Sequence, residues 1–504
     1  MLPLPQGWSD LLKRALQVQD SDTVATMLDD ATAGEVISIG TRQLVARADV
    51  ARGHKIAIDA IPAGEPITKF GASIGRATCA IVPGDHVHTH NLCTALTGEL
   101  DYRYAREVAR PAASKAPGTF QGFRRPDGRV GTRNEIWVLP TVGCVARTAQ
   151  RIATAADARH RGLIDGVHAF THPHGCSQLG DDLGGTTRIL AALANHPNAG
   201  GVLIVGLGCE ENQLDLVLAE LPPERRPFVR TLSAQAADDE LEAGASLVAE
   251  LVEQAAQARR APVGLDALAL GVKCGGSDGF SGLTANPLVG RLSDRVSDAG
   301  GRVVLTEIPE IFGAEQLLMN RARDAEVFDG IVGLVNGFKR YFLEHGQAVS
   351  ENPSPGNVAG GITTLEEKSL GAVQKGGGAV ITDVLPYAGQ VRMPGLTLLE
   401  APGNDAVSST ALVAAGATAI LFTTGRGTPM GFPVPTVKIA SNSGLAARKA
   451  GWIDFDAGKV LDDGFDAAAD ALLARVLAIA SGDLTAAECN GEREIAIWKR
   501  GVTL

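Results

Sequence analysis

Between residues 121 and 504, six short apolar runs alternate with alanine-rich stretches, and this alternation constrains the fold more than any other feature of the chain. Ile136-Trp-Val-Leu139, Val202-Leu-Ile-Val205, Ala267-Leu-Ala-Leu-Gly271, Val303-Val-Leu305, Ala379-Val-Ile-Thr382 and Ile420-Leu-Phe422 are continuous and uncharged, as strands buried on both faces must be. Val145–Ala158, Ala234–Arg260 and Asp405–Ala415 read as helices between them. Strand then helix, repeated, predicts an α/β architecture with parallel sheets, whose ligands bind in loops at the carboxyl ends of strands.

The first ninety residues differ. Glu35-Val-Ile-Ser-Ile39, His54-Lys-Ile-Ala-Ile58 and Pro66-Ile-Thr-Lys-Phe70 are short alternating runs punctuated by glycine and proline, which predicts a small β-rich domain. Around residues 101–122 the composition turns to Arg, Ala, Pro, Ser and Lys without apolar period, the mark of a linker. The expected division is a β-rich domain at 1–95, a linker at 96–120, a central α/β domain at 121–262 and a C-terminal α/β domain at 263–504.

Formal charge is −11, from 46 Lys+Arg against 57 Asp+Glu, so neither nucleic acid nor an anionic membrane is an expected partner. Apolar runs such as those at 201–208 and 417–422 fall far short of the roughly 18–20 residues that cross a bilayer. Seven widely spread cysteines and no signal-like N-terminal stretch predict a cytoplasmic chain with reduced thiols, free to bind metal. A homodimer is expected from the length and low charge density. Glycine is abundant, 60 of 504 residues, which indicates many tight turns or close backbone approaches.

Three strand ends share one form. Trp137-Val-Leu-Pro-Thr-Val-Gly-Cys144, Val202-Leu-Ile-Val-Gly-Leu-Gly-Cys209 and Leu268-Ala-Leu-Gly-Val-Lys-Cys274 each run from strand into cysteine, with successive thiols 65 positions apart. Three convergent thiolates suit a soft metal or an iron–sulfur centre with one open position; alternatively, they are small buried residues in tight turns. Thr171-His-Pro-His-Gly-Cys-Ser-Gln178 adds His172, His174 and Cys176 in one loop, of ligand type or simply a surface loop. His86-Val-His-Thr-His90 sets three imidazoles at alternate positions, on one face of a strand, either toward a metal or as a polar outer face. Cys274-Gly-Gly-Ser-Asp-Gly279, Asn352-Pro-Ser-Pro-Gly-Asn357 and Thr424-Gly-Arg-Gly-Thr-Pro429 are turns whose amides, with Arg426, suit a carboxylate. No dinucleotide fingerprint or phosphate loop is present. Lys438, in an apolar run, either is a buried base or snorkels to the surface, the latter being favoured.

On Gly53-His-Lys55, Gly84-Asp-His-Val-His-Thr-His-Asn91, Gly131-Thr-Arg-Asn-Glu135, Gly175-Cys-Ser-Gln-Leu-Gly-Asp-Asp182, Gly206-Leu-Gly-Cys-Glu210, Thr284-Ala-Asn-Pro287, Ala401-Pro-Gly-Asn-Asp405 and Gly501-Val-Thr-Leu504, together with the three glycine-rich turns, the chain resembles the altronate/galactarate dehydratase family of sugar-acid lyases. The likeness is collinear from about residue 18 onward. It implies an N-terminal SAF-type β-clip domain joined to a large multi-subdomain α/β region with parallel sheets. It also implies iron-dependent dehydration of D-altronate to 2-dehydro-3-deoxy-D-gluconate, with Mn2+ as a possible substitute. The cluster at His86, His88 and His90 resembles the altronate branch.

In a 2,3-dihydroxy acid the carbon-2 proton is weakly acidic beside an already charged carboxylate, so its removal calls for an electrophile, a base, and departure of the carbon-3 hydroxyl. His172, His174, Asp278 and Lys438 are candidates for proton transfer; Arg426, Asn357, Ser277 and Asn286 for holding substrate. For the metal, Cys144, Cys209 and Cys274 are preferred as cluster ligands, with His86, His88 and His54 as the alternative mononuclear site. Galactarate, another sugar acid, or sulfolactate is an alternative substrate. A non-catalytic sugar-acid or metal-binding protein is the reading from another class.

Overall fold

The computed structural model describes residues 12–107 and 118–504. Part of the expected linker, at 108–117, and residues 1–11 lie outside the described residues. Nine short strands between Lys13 and Cys93 form a six-stranded and a three-stranded sheet. Their alternation is that of a small β domain: in Val36–Ile39 the two isoleucines point inward while Val36 is exposed. Buried Asp22 closes this domain by accepting from the backbone N–H groups of Gln19, Phe70 and Gly71.

Beyond residue 118 a small antiparallel sheet of Thr119–Arg124, Val130–Gly131 and Arg260–Gly264 accompanies two larger sheets, whose strands are parallel and largely apolar, as predicted. Glu135–Pro140 lies in the middle of a four-stranded sheet, between Val167–Ala169 and Ala199–Gly206, with Val229–Ser233 outermost. All its pairings are parallel. The expected helices at 145–158 and 405–415 form as Ala146–Arg159 and Asp405–Ala414. The long stretch at 234–260 yields a helix only over Glu240–Ala255, started by the Asp239 side chain, which accepts from Leu241 N and Glu242 N.

The C-terminal region is built on seven parallel strands. In spatial order they are Ile381–Leu385, Gly395–Leu399, Arg302–Leu305, Ala269–Cys274, Ala419–Thr424, Thr436–Ala440 and Phe455–Asp456. From Ala269–Cys274 the chain first builds outward on one side and later returns to the other. The carboxyl ends of Ala269–Cys274 and Ala419–Thr424 therefore frame a topological switch point, where such sheets open a crevice. Both sheets contribute to one core, in which Trp137 and Ile204 join Ile420 and Phe422. No helix among the described residues is long and apolar enough to cross a membrane.

Candidate functional site

The crevice at the switch point is floored by the loop after Cys274. Asp278 anchors that loop: its Oδ1 accepts from Phe280 N, Ser281 N, Ser281 Oγ and Ser441 Oγ, at 2.8–3.1 Å, and its Oδ2 from Asn442 Nδ2 at 3.0 Å. Burial pushes its carboxyl upward against those bonds. Over the neighbouring strand, Arg426 N donates to Gly276 O at 3.0 Å, while the exposed Arg426 side chain passes within reach of Gly356 and has no hydrogen-bond or ion-pair partner among the described residues. An unpaired guanidinium at the carboxyl ends of parallel strands is a ready carboxylate receptor.

The third wall is the short helix Pro355–Ala359. Ser354 and Asn357 form its capping box, and Asn357 Nδ2 donates to Ser277 O at 2.8 Å, tying the helix to the floor. Against its far end sits the N-terminal domain. His54 Nε2 lies 3.4 Å from Ala359 O, and His88 Nε2 lies 3.1 Å from Val358 O. These carbonyls take the Nε2 protons and leave both Nδ1 atoms as acceptors. His54 Nδ1 then faces His86 Nε2 at 3.1 Å, and the His90 ring stands 5.5 Å from that of His86. Burial, reinforced by the neighbouring imidazoles, pushes His86 down to about 3; burial also lowers His54 and His88. His54, His86 and His88 are thus neutral at physiological pH, as metal-binding imidazoles must be.

The domain is locked onto this wall by buried charge. Glu367 accepts from Lys55 Nζ at 2.8 Å and Lys69 Nζ at 2.9 Å, and Lys55 also reaches Gly361 O and Thr363 Oγ1. All three ionic side chains are at most 3% exposed. Burial alone would raise Glu367, but the two ammonium groups hold it at about 2.

Several residues singled out in the sequence have other work. His172 is buried with both ring nitrogens engaged: Nε2 with Pro140 O at 2.8 Å, and Nδ1 accepting from His174 N. Lys438 does not snorkel: it is fully buried, and its ammonium bonds the carbonyls of Thr428 and Met430, bracing the Arg426 loop. Asn286 donates to Gly371 O and accepts from Thr423 Oγ1, and the amide of Asn357 is occupied as described, so both are loop clamps. Buried Ser277 contributes its carbonyl to Asn357. His174 is half-buried on a loop of the four-stranded sheet.

The three evenly spaced cysteines end strands of two different sheets. Cys144 and Cys209 follow neighbouring strands of the four-stranded sheet and are exposed; Cys274 ends a strand of the seven-stranded sheet and is buried. Cys274 Sγ lies 2.9 Å from Lys375 Nζ and 3.5 Å from Glu310. With Glu307 and Glu310 it forms the one group of three ligand side chains within 4.8 Å of one another among the described residues. That group is already neutralised: Lys368 reaches Glu310 at 2.8 Å, and Lys273 and Lys375 flank Glu307 at 3.1 and 3.6 Å. Three ammonium groups leave little attraction for a further cation, so we read this cluster as an ionic brace under the crevice floor. Sequence reasoning missed it, and it missed the Lys55–Glu367–Lys69 lock, because their members lie far apart in the chain.

Three family models match the chain end to end. "Altronate/galactarate dehydratase SAF domain" covers residues 13–95, "D-galactarate dehydratase/Altronate hydrolase, second domain" covers 122–256, and "D-galactarate/Altronate dehydratase, C-terminal" covers 265–503. The chain belongs to the altronate/galactarate dehydratase family. Its N-terminal β domain is the SAF domain of that family. The chain is 47% identical to altronate dehydratase of Escherichia coli (strain K12) over 495 residues, 97% of this chain and 99% of the relative. It is also 47% identical to altronate dehydratase of Bacillus subtilis (strain 168), over 98% and 100% of the two chains. Galactarate dehydratase (L-threo-forming) of Escherichia coli (strain K12) is 32% identical over 88% of each.

Proposed function

We propose that this chain is a hydro-lyase that dehydrates D-altronate to 2-dehydro-3-deoxy-D-gluconate in the crevice between the SAF domain and the seven-stranded sheet. The observation that carries the reading is the pair of imidazole nitrogens of His54 and His86, 3.1 Å apart, across a short helix from an unpaired arginine. The likeness to two altronate dehydratases over nearly the whole chain supports the choice of substrate.

An iron ion fits those nitrogens. Their 3.1 Å separation would let both bind one ion, and the Ala359 carbonyl orients the His54 imidazole from behind. Iron held by His54 and His86 would supply the electrophile that takes up the charge of the substrate carboxylate and its adjacent hydroxyl; His88, the third imidazole of the expected set, does not come within 4.8 Å of both other donors. Arg426 holds the carboxylate by paired N–H bonds and sets which end of the sugar acid faces the imidazoles. His90, exposed beside His86 and with no hydrogen-bond partner among the described residues, accepts the proton from carbon 2. The protonated His90 returns that proton to the carbon-3 hydroxyl, which leaves as water, and the resulting enol relaxes to the 2-keto acid. Asp278 keeps the floor loop in place.

The test is turnover by the full-length protein under anaerobic, reducing conditions with Fe(II), using D-altronate, galactarate and sulfolactate and detecting the keto acid. Altronate is expected to be the preferred substrate. Binding of altronate without turnover, or preferred turnover of either other acid, overturns the reading. Arg426→Ala is expected to raise KM for altronate roughly 10- to 100-fold, the loss of a charge-assisted hydrogen bond, with a smaller effect on kcat. His86→Ala is expected to weaken iron binding at least about tenfold, measured by titration of the apoprotein.

A further inference from the structure

Three loops at the carboxyl end of the four-stranded sheet carry one cysteine each. Cys144 follows Glu135–Pro140, Cys176 follows Val167–Ala169 and Cys209 follows Ala199–Gly206, and these strands are neighbours in the sheet. The loops are stitched together. Gly143 N donates to His174 O at 2.9 Å, Asn212 N to Gly175 O at 3.1 Å, and Asn212 Nδ2 to Thr141 O at 2.9 Å. Thr141 Oγ1 donates at 2.6 Å to the buried carboxylate of Glu210, which also accepts from Leu207 N and Gly208 N. The approach is close enough to require glycine: a Cβ on Gly175, whose φ is +102°, would stand 2.1 Å from Thr141 O.

The thiols themselves are unusual. Free cysteine is among the most buried of residue types, yet all three of these are exposed and outside any disulfide, with Gln235 Nε2 donating to Cys209 Sγ at 3.6 Å. The Cys176 thiol lies 4.0 Å from Ser177 Oγ, and Ser177 N donates at 2.9 Å to the carboxylate of Glu211, two residues beyond Cys209. A second observation lies under the Cys176 loop. Gln178 is 3% exposed; its Oε1 accepts from Gly175 N and Thr186 Oγ1, while its Nε2 has no partner. A buried amide donor without an acceptor is costly, and it is the kind of group that an inorganic sulfide or a thiolate satisfies.

We propose that Cys144, Cys176 and Cys209 ligate an iron–sulfur cluster with one iron left open. Thiolates select soft centres: zinc, copper(I) or an iron–sulfur cluster. A single tetrahedral ion with bonds of about 2.3 Å would hold its sulfurs about 3.8 Å apart. Among the described residues no group of three ligand side chains within 4.8 Å includes any of these cysteines. A cluster ligates each cysteine at a different iron corner and so holds them farther apart. The helix Ala146–Arg159 begins two residues after Cys144 with no side-chain cap, and its N–H groups favour the negative charge of such a centre. This set shares Cys144 and Cys209 with the regularly spaced one but replaces Cys274, which sits in the other sheet against Lys375. It is independent of the histidine site: each can hold iron without the other.

Full-length protein reconstituted anaerobically with Fe(II) and sulfide tests the proposal through iron content, acid-labile sulfide, visible absorption and the EPR signal after reduction. Wild type is expected to carry about four sulfides per chain, as a cubane cluster does. Cys176→Ser and Cys209→Ser are expected to lose at least about nine-tenths of that sulfide while melting like wild type, since both positions are exposed loop sites. His86→Ala and Cys274→Ser are expected to keep it. Wild type binding iron or zinc without sulfide, Cys176→Ser retaining the cluster, or folded Cys274→Ser losing it would each overturn the assignment.

Discussion

Glu367→Ala is expected to destabilise the full-length protein by roughly 3–5 kcal/mol, the range for deleting one partner of a buried ion pair. Two ammonium groups, on Lys55 and Lys69, would be left inside the interface between the SAF domain and the seven-stranded sheet with no counter-charge. Lys55 would keep only Gly361 O and Thr363 Oγ1 as acceptors. A shift of less than about 1 kcal/mol in the urea unfolding free energy would show that the lock contributes little.

The pH dependence supplies an independent check. The folded-state pKa of Glu367 is depressed to about 2, so its contribution is present above the unfolded carboxylate value of about 4.3 and is lost as pH falls toward 2. Buried His172 and His196, pushed down by desolvation to about 4 and about 3, stay neutral in the native state while the unfolded chain takes up protons below about 6.5. Both effects act in one direction. Wild-type stability is expected to fall steadily from pH 6.5 to pH 4, and to fall more steeply below pH 4 than that of Glu367→Ala, which lacks the carboxylate.

The strands of the two sheets were legible because burial on both faces demands continuous apolar runs, and Ile136–Leu139 or Ile420–Phe422 carry that demand locally. The cysteine spacing was legible too, and it does mark equivalent strand ends. What spacing cannot carry is which sheet a strand joins: Cys274 and Cys209 occupy like positions in different sheets, and only assembly reveals that Cys176, on a neighbouring loop, is the third thiol of that rim. Lys438 exposes a different gap. An amine in an apolar run suggests a base or a surface residue, but here it satisfies backbone carbonyls of the turn at 428–430, a partner no side-chain pattern displays. The lock joining Lys55 to Glu367 spans 312 residues, beyond any local periodicity. By contrast, the alternate spacing of His86, His88 and His90 was a legible metal-type pattern, and the fold brings His54, from a separate run, face to face with His86.

Gly279→Ala is expected to cost about a hundredfold in kcat/KM, through geometry rather than chemistry. A Cβ at this position would stand 1.9 Å from the carbonyl oxygen of Gly53, the residue before His54, and 2.8 Å from its carbonyl carbon. Both obstacles are backbone, so no side-chain rotation relieves the clash. Gly361, on the other side of the same contact, would place a Cβ 2.3 Å from that oxygen, so the Gly53 carbonyl is held in a slot between two glycines. Relief requires the SAF domain to lift from the crevice floor by an ångström or more. That displacement carries His54 and its partner imidazoles away from Arg426, the proposed carboxylate receptor, and misplacement on that scale costs about 10²-fold. Gly185→Ala, in a helix where the new methyl meets nothing within 4 Å, serves as the control and is expected to leave activity unchanged. If the loss is positional, Gly279→Ala unfolds at a lower urea concentration and is cleaved faster than wild type by a trace of trypsin. Wild-type kinetics in a folded Gly279→Ala protein would mean that the SAF domain does not form a wall of the catalytic crevice.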